Sequence, residues 1–584
     1  MMTRRTKVIL LVVLVIIVNI LLYYKTTGYA FLKDDFRLIV ENHRIKDFDT
    51  FVNSIHTKFF SFPDFPYLHY WRPLTLFTFF VDYKMWELNP AGYHSINILF
   101  NALNAMLIFL LFYFISREIF APFFISLLFS IHPVHVETVS WVSGRTDLLA
   151  ALFVFSALLF FLLFIKKKKW LYYFLAVFCF IFGLLSKENA FLFPLAAAGM
   201  IFFSSITGRG EKEEKEQNVR KDYLYLLPFI IIDILYIVVH NTVSGINAVT
   251  KGFSISDIPL IFKTAGIYAK MILTPFFPAP YFPMGDMDKE GIVFIIYALA
   301  ALAVVVAVVL KRDNFRYSFF ALLFLIFLLP VLDPRVIPTA PQVALRFAYI
   351  PAVFAGALFV DILRLFKQKR AKYIFTVFLV LIACAWAFES YIFQEYFKNR
   401  DRHYTKLVEH FPDDVALLLP LALQQAEKGE FPQALKLVNH ALTMNTGNQW
   451  ADISELAGLF RANLLILTGK DAEGKHEAED ILENTGKQEM IYFSHLVLAK
   501  YYERRMELTD ALEHLKKAEA IGETADVFTR MVLVYMKMKD YENALRYLEK
   551  ARELNPGLTG YLRLKDYIIN EQKNESKKRS VTGE

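Results

Sequence analysis

The sequence predicts an all-α protein in two parts: a polytopic membrane domain of about eleven transmembrane helices, then a soluble α-solenoid. Three observations predict it. The 584-residue chain is 56% hydrophobic with a mean hydropathy of +0.37, too apolar for an ordinary soluble domain. Its 58 Phe and 30 Tyr fall mostly in long runs with Leu, Ile and Val, as lipid-facing helices require. From about Phe411 onward the composition changes to Glu, Lys, Ala and Leu with helical periodicity. The net charge of +7 is modest and its cations cluster between apolar runs, so it reports membrane topology rather than nucleic-acid binding. Cys179 and Cys384 both lie in apolar runs; they supply neither a disulfide framework nor a zinc site, and each is expected as a small core residue.

The membrane domain is placed at residues 1–392, a connector at 393–414, the repeats at 415–569 and a flexible tail at 570–584. Apolar runs put spans at about 8–24, 93–115, 119–132, 147–165, 170–186, 189–206, 223–240, 291–310, 317–332, 346–365 and 372–392. The first is read as an uncleaved anchor, since Arg4, Arg5 and Lys7 precede a run long enough to cross and no small-x-small site follows promptly. Those cations place the N-terminus in the cytoplasm. Counting spans from there, Lys166 to Lys169, Lys212 to Lys221, Lys311-Arg312 and Lys367 to Lys372 all fall inside. Asp257 to Phe277 is refused as a span: it carries Lys263 and Lys270 and runs into Pro275, Pro278 and Pro280. It is read as an amphipathic helix on the outer surface. An odd number of spans then leaves the C-terminal part outside.

That part shows an internal period near 34 residues. The clearest unit begins at Ala525, with Phe528, Met531, Tyr535, Ala544, Leu548, Ala551 and Pro556 at tetratricopeptide spacing. Units in register begin near Val415, Glu455 and Tyr492, making about four. Small residues at these points let the two helices of a hairpin approach closely, and stacked hairpins form a concave surface.

The outer segments collect the unusual residues. Asp34 and Asp35 follow the first span within about ten residues, and acids where a helix leaves the lipid are costly to place. Arg72, His94, the run from His132 to Asp147, Lys187-Glu188 and Arg346 return to the same side. Bland readings stand beside these. Arg145 with Asp147, or Lys187 with Glu188, could be structural pairs at helix ends, and Trp71, Trp86 and Trp141 could be interface anchors. His135-Val136-Glu137 has a faint look of a metal pair, but a spacing of two suits one helix face badly, so a divalent metal is disfavoured. If the residues converge, carboxylates (Asp34, Asp35, Glu137), cations (Arg72, Arg145, Lys187, Arg346) and imidazoles (His94, His135) meet at head-group level. Cations there suit a phosphate carried on a lipid, and a carboxylate beside them can take a proton from an acceptor hydroxyl.

These stretches also carry a resemblance. Asp34-Asp35 after the first span, Trp71-Arg72-Pro73-Leu74, Asn89 to His94, the His132–Asp147 run, Lys187-Glu188 and Arg346 to Pro351 resemble the polytopic C-type (GT-C) glycosyltransferases that use polyprenyl-phosphate sugars. Among them the chain looks most like the transmembrane and tetratricopeptide-repeat-containing protein O-mannosyltransferases and their prokaryotic relatives. The resemblance implies an inverting transfer, with Asp34 matching the leading acid of the family's motif as base and Asp35 beside it. It implies donor phosphate or sugar contacts from Arg72, His135, Glu137, Arg145, Asp147, Lys187 and Arg346. Relatives commonly have an acid just before the arginine matched by Arg346; here Leu345 stands there.

The expected activity is a membrane O-glycosyltransferase moving a hexose, mannose, from a polyprenyl or dolichyl phosphate to Ser or Thr hydroxyls. The repeats would hold the acceptor polypeptide or a partner protein, and the enzyme would sit in a plasma (inner) membrane, or the endoplasmic-reticulum membrane of a eukaryote. A non-enzymatic membrane scaffold explains the repeats but not acids and cations gathered on one face. A lipid or glycan transporter would need ionisable residues deep within spans, where Asp233 and Asp361 are the main examples.

Overall fold

The computed structural model describes residues 2–59, 70–207, 221–244, 257–276, 280–282, 291–310, 315–333, 343–362, 368–444, 451–554 and 560–582. They divide into two compact units, Met1–Lys406 and Leu407–Glu584. Among them the only β-structure is a pair of two-residue strands, Tyr281–Phe282 against Val343–Ala344; everything else regular is helical.

The first unit opens with α1 (Arg4–Tyr23), capped by the Thr3 hydroxyl, which accepts from the Thr6 amide. After a short α2 (Phe48–Ser54) come α3 (Pro73–Trp86) and α4 (Pro90–Ser116). Pro at the first position starts both, and the Asn89 side chain caps α4 by accepting the Ala91 amide at 3.1 Å. α5 (Phe120–Ile131) then breaks at Pro133 and bends by 53° into a segment ending in α6 (Val136–Ser140). α7 (Arg145–Lys167), α8 (Trp170–Leu184) and α9 (Phe193–Thr207) follow. α7 is the axis of the unit, packed against α4, α8 and α9 and buried along most of its length.

Among the described residues five helices are long and apolar enough to cross a membrane: Arg4–Gly28, Pro90–Ser116, Val142–Lys167, Lys221–Val243 and Lys369–Phe397. The bent pair at Pro133 makes six if taken as one span. The basic residues 212–220, 311–312 and 367, on which the sequence topology leaned, lie outside the described residues.

Several expectations change. The run from His132 to Asp147, expected on the outer side in a segment between spans, is buried within the unit throughout, the chain bending at Pro133. Its backbone carbonyls are met by an asparagine stripe on α4. Asn97 donates to the carbonyls of Trp141 (3.0 Å) and Val142 (3.2 Å), and Asn104 to that of Leu148 (3.0 Å). Asn101, between them, donates to Asn19 of α1 at 2.6 Å and accepts from the Tyr349 hydroxyl at 2.6 Å. Spacings of four and three put these amides on one face of α4. Trp141, read as an interface anchor, is buried with its indole N–H on the Leu32 carbonyl at 3.1 Å. The helix Ile258–Leu273 is not merely laid on a surface: Gly266 sits so close to the following helix (Gly291–Leu310) that a Cβ would stand 1.8 Å from the Phe294 carbonyl oxygen. Residues 393–406, expected as connector, form a turn and the start of the helix Arg400–His410 within the first unit, where the Lys398 carbonyl accepts from the Ala30 amide at 3.0 Å. Cys179 is buried but Cys384 is exposed, on the outward face of its helix.

The second unit is a succession of helices: Val415–Glu427, Phe431–Thr443, Ala451–Leu467, Asp471–Asn484, Gln488–Arg504, Leu508–Ile521, Ala525–Lys537, Tyr541–Leu554 and Tyr561–Thr582. The first eight pack as four consecutive hairpins. Each hairpin is closed by the same turn. A left-handed residue (Gly429, Gly469, Met506, Lys539) is followed by an amide that reaches back five residues, as Glu430 does to the Gln425 carbonyl at 2.8 Å. Small residues line the helix contacts, and a Cβ on Gly474 would lie 2.5 Å from the Ala462 carbonyl oxygen. The stretch from 570, expected as a frayed tail, continues the last helix to Thr582, tied by Glu575 to Lys539 at 3.0 Å. Pro556 lies outside the described residues.

Candidate active site

The acidic stretch leaves α1 through a short turn ending at Gly28 and is then clamped from several sides. Lys33 takes a left-handed backbone (φ 51°), which reverses the chain and turns the next two carboxylates apart. Asp35 points inward and is fully buried. Its carboxylate accepts from the Leu32 amide (2.8 Å), the Ser143 amide (2.8 Å) and the Ser143 hydroxyl. Burial nevertheless pushes its carboxyl up to about 7, against those three donors. Asp34 is half-buried and makes no hydrogen bond or ion pair among the described residues. Burial raises its carboxyl above the usual range, opposed by the charges of Lys33, Arg346, Arg37 and Arg72.

Around it stand three cations, each with its own acid. Arg72, at the head of α3, grips Glu188 through two bonds of 3.0 and 2.8 Å and lies 4.3 Å from the Tyr70 ring centre. Lys187 donates to Asp147, one turn into α7, at 2.6 Å. Glu137 on α6 accepts from Arg346 twice, from its backbone amide at 3.0 Å and from Nη1 at 2.6 Å. Asp147 and Asp34 also lie close enough to act electrostatically on this guanidinium. Arg346 and Lys187 feel each other, and Arg72 feels Asp147, so the three pairs and Asp34 form one electrostatic cluster. Fixed pairs of this kind hold guanidinium and ammonium groups in place while leaving some donors unused.

Three sequence-chosen residues, Arg145, His135 and His94, are engaged elsewhere in the unit. Arg145 is fully buried, with every edge engaged: Asp82 of α3, the Asn97 side chain (2.8 Å) and the Tyr93 carbonyl (2.8 Å), and the Phe79 ring 4.9 Å away. It ties α3, α4 and α7 together, with each of its three nitrogens already donating to the protein. His135 is buried between the rings of Phe129 (4.3 Å) and Tyr349 (4.8 Å). His94 likewise packs against the Tyr29 ring at 6.3 Å. The structural pairings guessed from adjacency are exchanged: Arg145 bonds Asp82 rather than Asp147, and Lys187 bonds Asp147 rather than Glu188. Sequence reasoning passed over Asp82, Ser143 and Lys33. Asp82 had a signal, being the one acid in the apolar stretch from Pro73 to Val81 and Tyr83; the other two had none.

A family model described as dolichyl-phosphate-mannose-protein mannosyltransferase matches residues 93–236. Among curated proteins, the protein O-mannosyl-transferase F38B6.6 of Caenorhabditis elegans is 33% identical over 150 residues, covering 24% of this chain and 21% of that protein. The protein O-mannosyl-transferase Tmtc1 of Drosophila melanogaster is 27% identical over 195 residues, covering 33% and 23%. The human protein O-mannosyl-transferase TMTC3 is 31% identical over 139 residues, covering 24% and 15%. The chain thus spans about a quarter or less of the length of these relatives. No solved structure matches. Through the stretch that supplies Glu137, Asp147, Lys187 and Glu188, the chain resembles the protein O-mannosyltransferases, glycosyltransferases of the membrane-embedded C type.

Proposed function

We propose that the protein transfers mannose from a polyprenyl or dolichyl phosphate to Ser or Thr hydroxyls of an acceptor protein on the non-cytoplasmic side of its membrane. One observation carries the reading: Asp34 offers a half-buried carboxylate with no protein partner among the described residues, beside three cations already locked to acids. In the step, the acceptor oxygen bonds to C1 of the sugar as the C1–O bond to phosphate breaks with inversion. The acceptor proton passes to Asp34, and the electron pair stays on the phosphate oxygen. Arg72, Lys187 and Arg346 supply positive charge where the phosphate leaves, and Asp35 anchors the loop that aims Asp34. Arg145 and His135 are removed from the proposed donor contacts and given a packing role. Between residues 415 and 569 the four similar hairpins support a tetratricopeptide solenoid, which would hold the acceptor chain or a partner protein.

The test uses purified full-length protein with labelled polyprenyl-phosphate mannose and a Ser/Thr-rich peptide. Release of lipid phosphate matched by sugar on the peptide supports the reading. Release without peptide labelling moves the acceptor away from protein, and neither event in folded protein favours the scaffold.

A further inference from the structure

Lys33 differs from the other cations of the cluster. Arg72, Lys187 and Arg346 each hold a carboxylate, whereas the Lys33 ammonium makes no hydrogen bond or ion pair among the described residues. It stands 5.7 Å from the centre of the Trp141 ring. The Arg346 guanidinium stands 5.5 Å from the same indole. Glu137 occupies Nη1 and the backbone amide of Arg346, so Nε and Nη2 keep donors unused among the described residues. Two cations with spare donors therefore share one aromatic ring beside the free carboxylate of Asp34.

This arrangement is expensive unless something uses it. A half-buried ammonium with no hydrogen bond among the described residues loses hydration that the Trp141 ring and the nearby carboxylates return only in part. The left-handed backbone at Lys33 costs an ordinary residue about 1 kcal/mol, and Gly or Asn would fill it more easily. Anchoring the turn needs neither the lysine head nor its charge, since Asp35, Ser143 and the Trp141 indole do that.

We infer that Lys33, with the unused edge of Arg346, binds the phosphate of the lipid-linked sugar and stabilises the second negative charge that this phosphate gains on leaving. The inference rests on the transfer reading above. The donor is a phosphodiester with one charge; once C1–O breaks, the oxygen keeps the pair and the monoester can carry two. A cation that meets this charge as it develops speeds the step more than it tightens donor binding. Lys33 is also the strongest of the charges that oppose the burial of Asp34, so one side chain serves both the base and the leaving group.

The groups facing Lys33 are Glu137 on α6, Arg346, its neighbours Asp34 and Asp35, and His403 on the helix Arg400–His410. Burial brings its ammonium down to about 8, which places its titration within the working pH range.

The experiment measures transfer by the full chain across pH. Lys33→Met and Lys33→Gln are expected to lower kcat by about a hundredfold with little change in KM for the donor. The wild-type rate should fall as pH rises through about 8, and Lys33→Arg should keep much of the rate while moving that alkaline limb upward. A wild-type kcat in Lys33→Met, or an alkaline limb that Lys33→Arg leaves in place, would overturn the inference. If the wild type transfers nothing, the transfer reading fails, and binding of polyprenyl monophosphate decides on Lys33 alone. Lys33→Met should then bind it about tenfold more weakly; equal affinity sinks the phosphate role.

Discussion

At the scale of single residues, the neighbouring acids Asp34 and Asp35 differ in everything but type. Asp35 is consumed by the protein, with three donors on its carboxylate, whereas Asp34 makes no hydrogen bond or ion pair among the described residues, which is why the proposed base is Asp34. Asp34→Asn keeps the shape and removes the base, so transfer should drop by about a hundredfold to ten-thousandfold while donor lipid still binds. Radiolabel transfer and donor binding on the same preparation check this; a wild-type rate would end the assignment. The pH dependence follows in sign. The carboxyl of Asp34 lies above the usual carboxylate range, and only its ionised form accepts a proton. The rate should therefore fall on acidification at a higher pH than an exposed aspartate would give. Ser143→Ala removes one donor from Asp35 and loosens the loop without touching Asp34, so it should lower the rate by less than Asp34→Asn does.

At the scale of elements, the buried pair of Arg145 and Asp82 joins α3 to α7 under the site. Losing one partner strands the other charge, so Asp82→Asn or Arg145→Met should each destabilise the first unit by about 3–5 kcal/mol. The double change to Asp82→Leu and Arg145→Met leaves no stranded charge and should recover much of that loss in detergent thermal unfolding. Non-recovery would mean that the pair does more than bury two charges. In the second unit the four hairpin turns share one geometry, but Gly fills the left-handed position in only two. Met506, exposed and at φ 60°, should accept Gly with a gain of about 0.5–1 kcal/mol, read as a higher melting temperature of that unit. A loss there would show that the Met506 side chain holds contacts outweighing its backbone strain.

At the scale of the whole chain, the proposed topology puts Asp49 and Lys516 on the same, non-cytoplasmic side of the membrane. Both are exposed within their own units. With Cys179 and Cys384 replaced, Asp49→Cys and Lys516→Cys should both react with an impermeant thiol reagent in intact cells. Protection of either would break the eleven-span reading, which the five or six qualifying helices among the described residues leave to experiment.

What the sequence determined by itself was local: where the chain is apolar, where it becomes a succession of amphipathic helices, and that Asp34-Asp35, Arg72, Glu137, Asp147, Lys187 and Arg346 are polar residues at the ends of apolar runs. Periodicity and hydropathy report which surface a segment presents, and those signals lie within a few turns of chain. Which acid meets which cation is not local. Arg72 finds Glu188 across 116 positions and Arg346 finds Glu137 across 209, whereas adjacency in sequence pointed to the wrong pairs. The burial of the His132–Asp147 run was equally invisible, because its polar residues look like those of an exposed loop. Asn97 of α4, approaching from another helix, supplies side-chain donors to the Trp141 and Val142 carbonyls that help make their burial tolerable. The different surroundings of Asp34 and Asp35 arise the same way, from Ser143 arriving from 108 positions away to engage the Asp35 carboxylate.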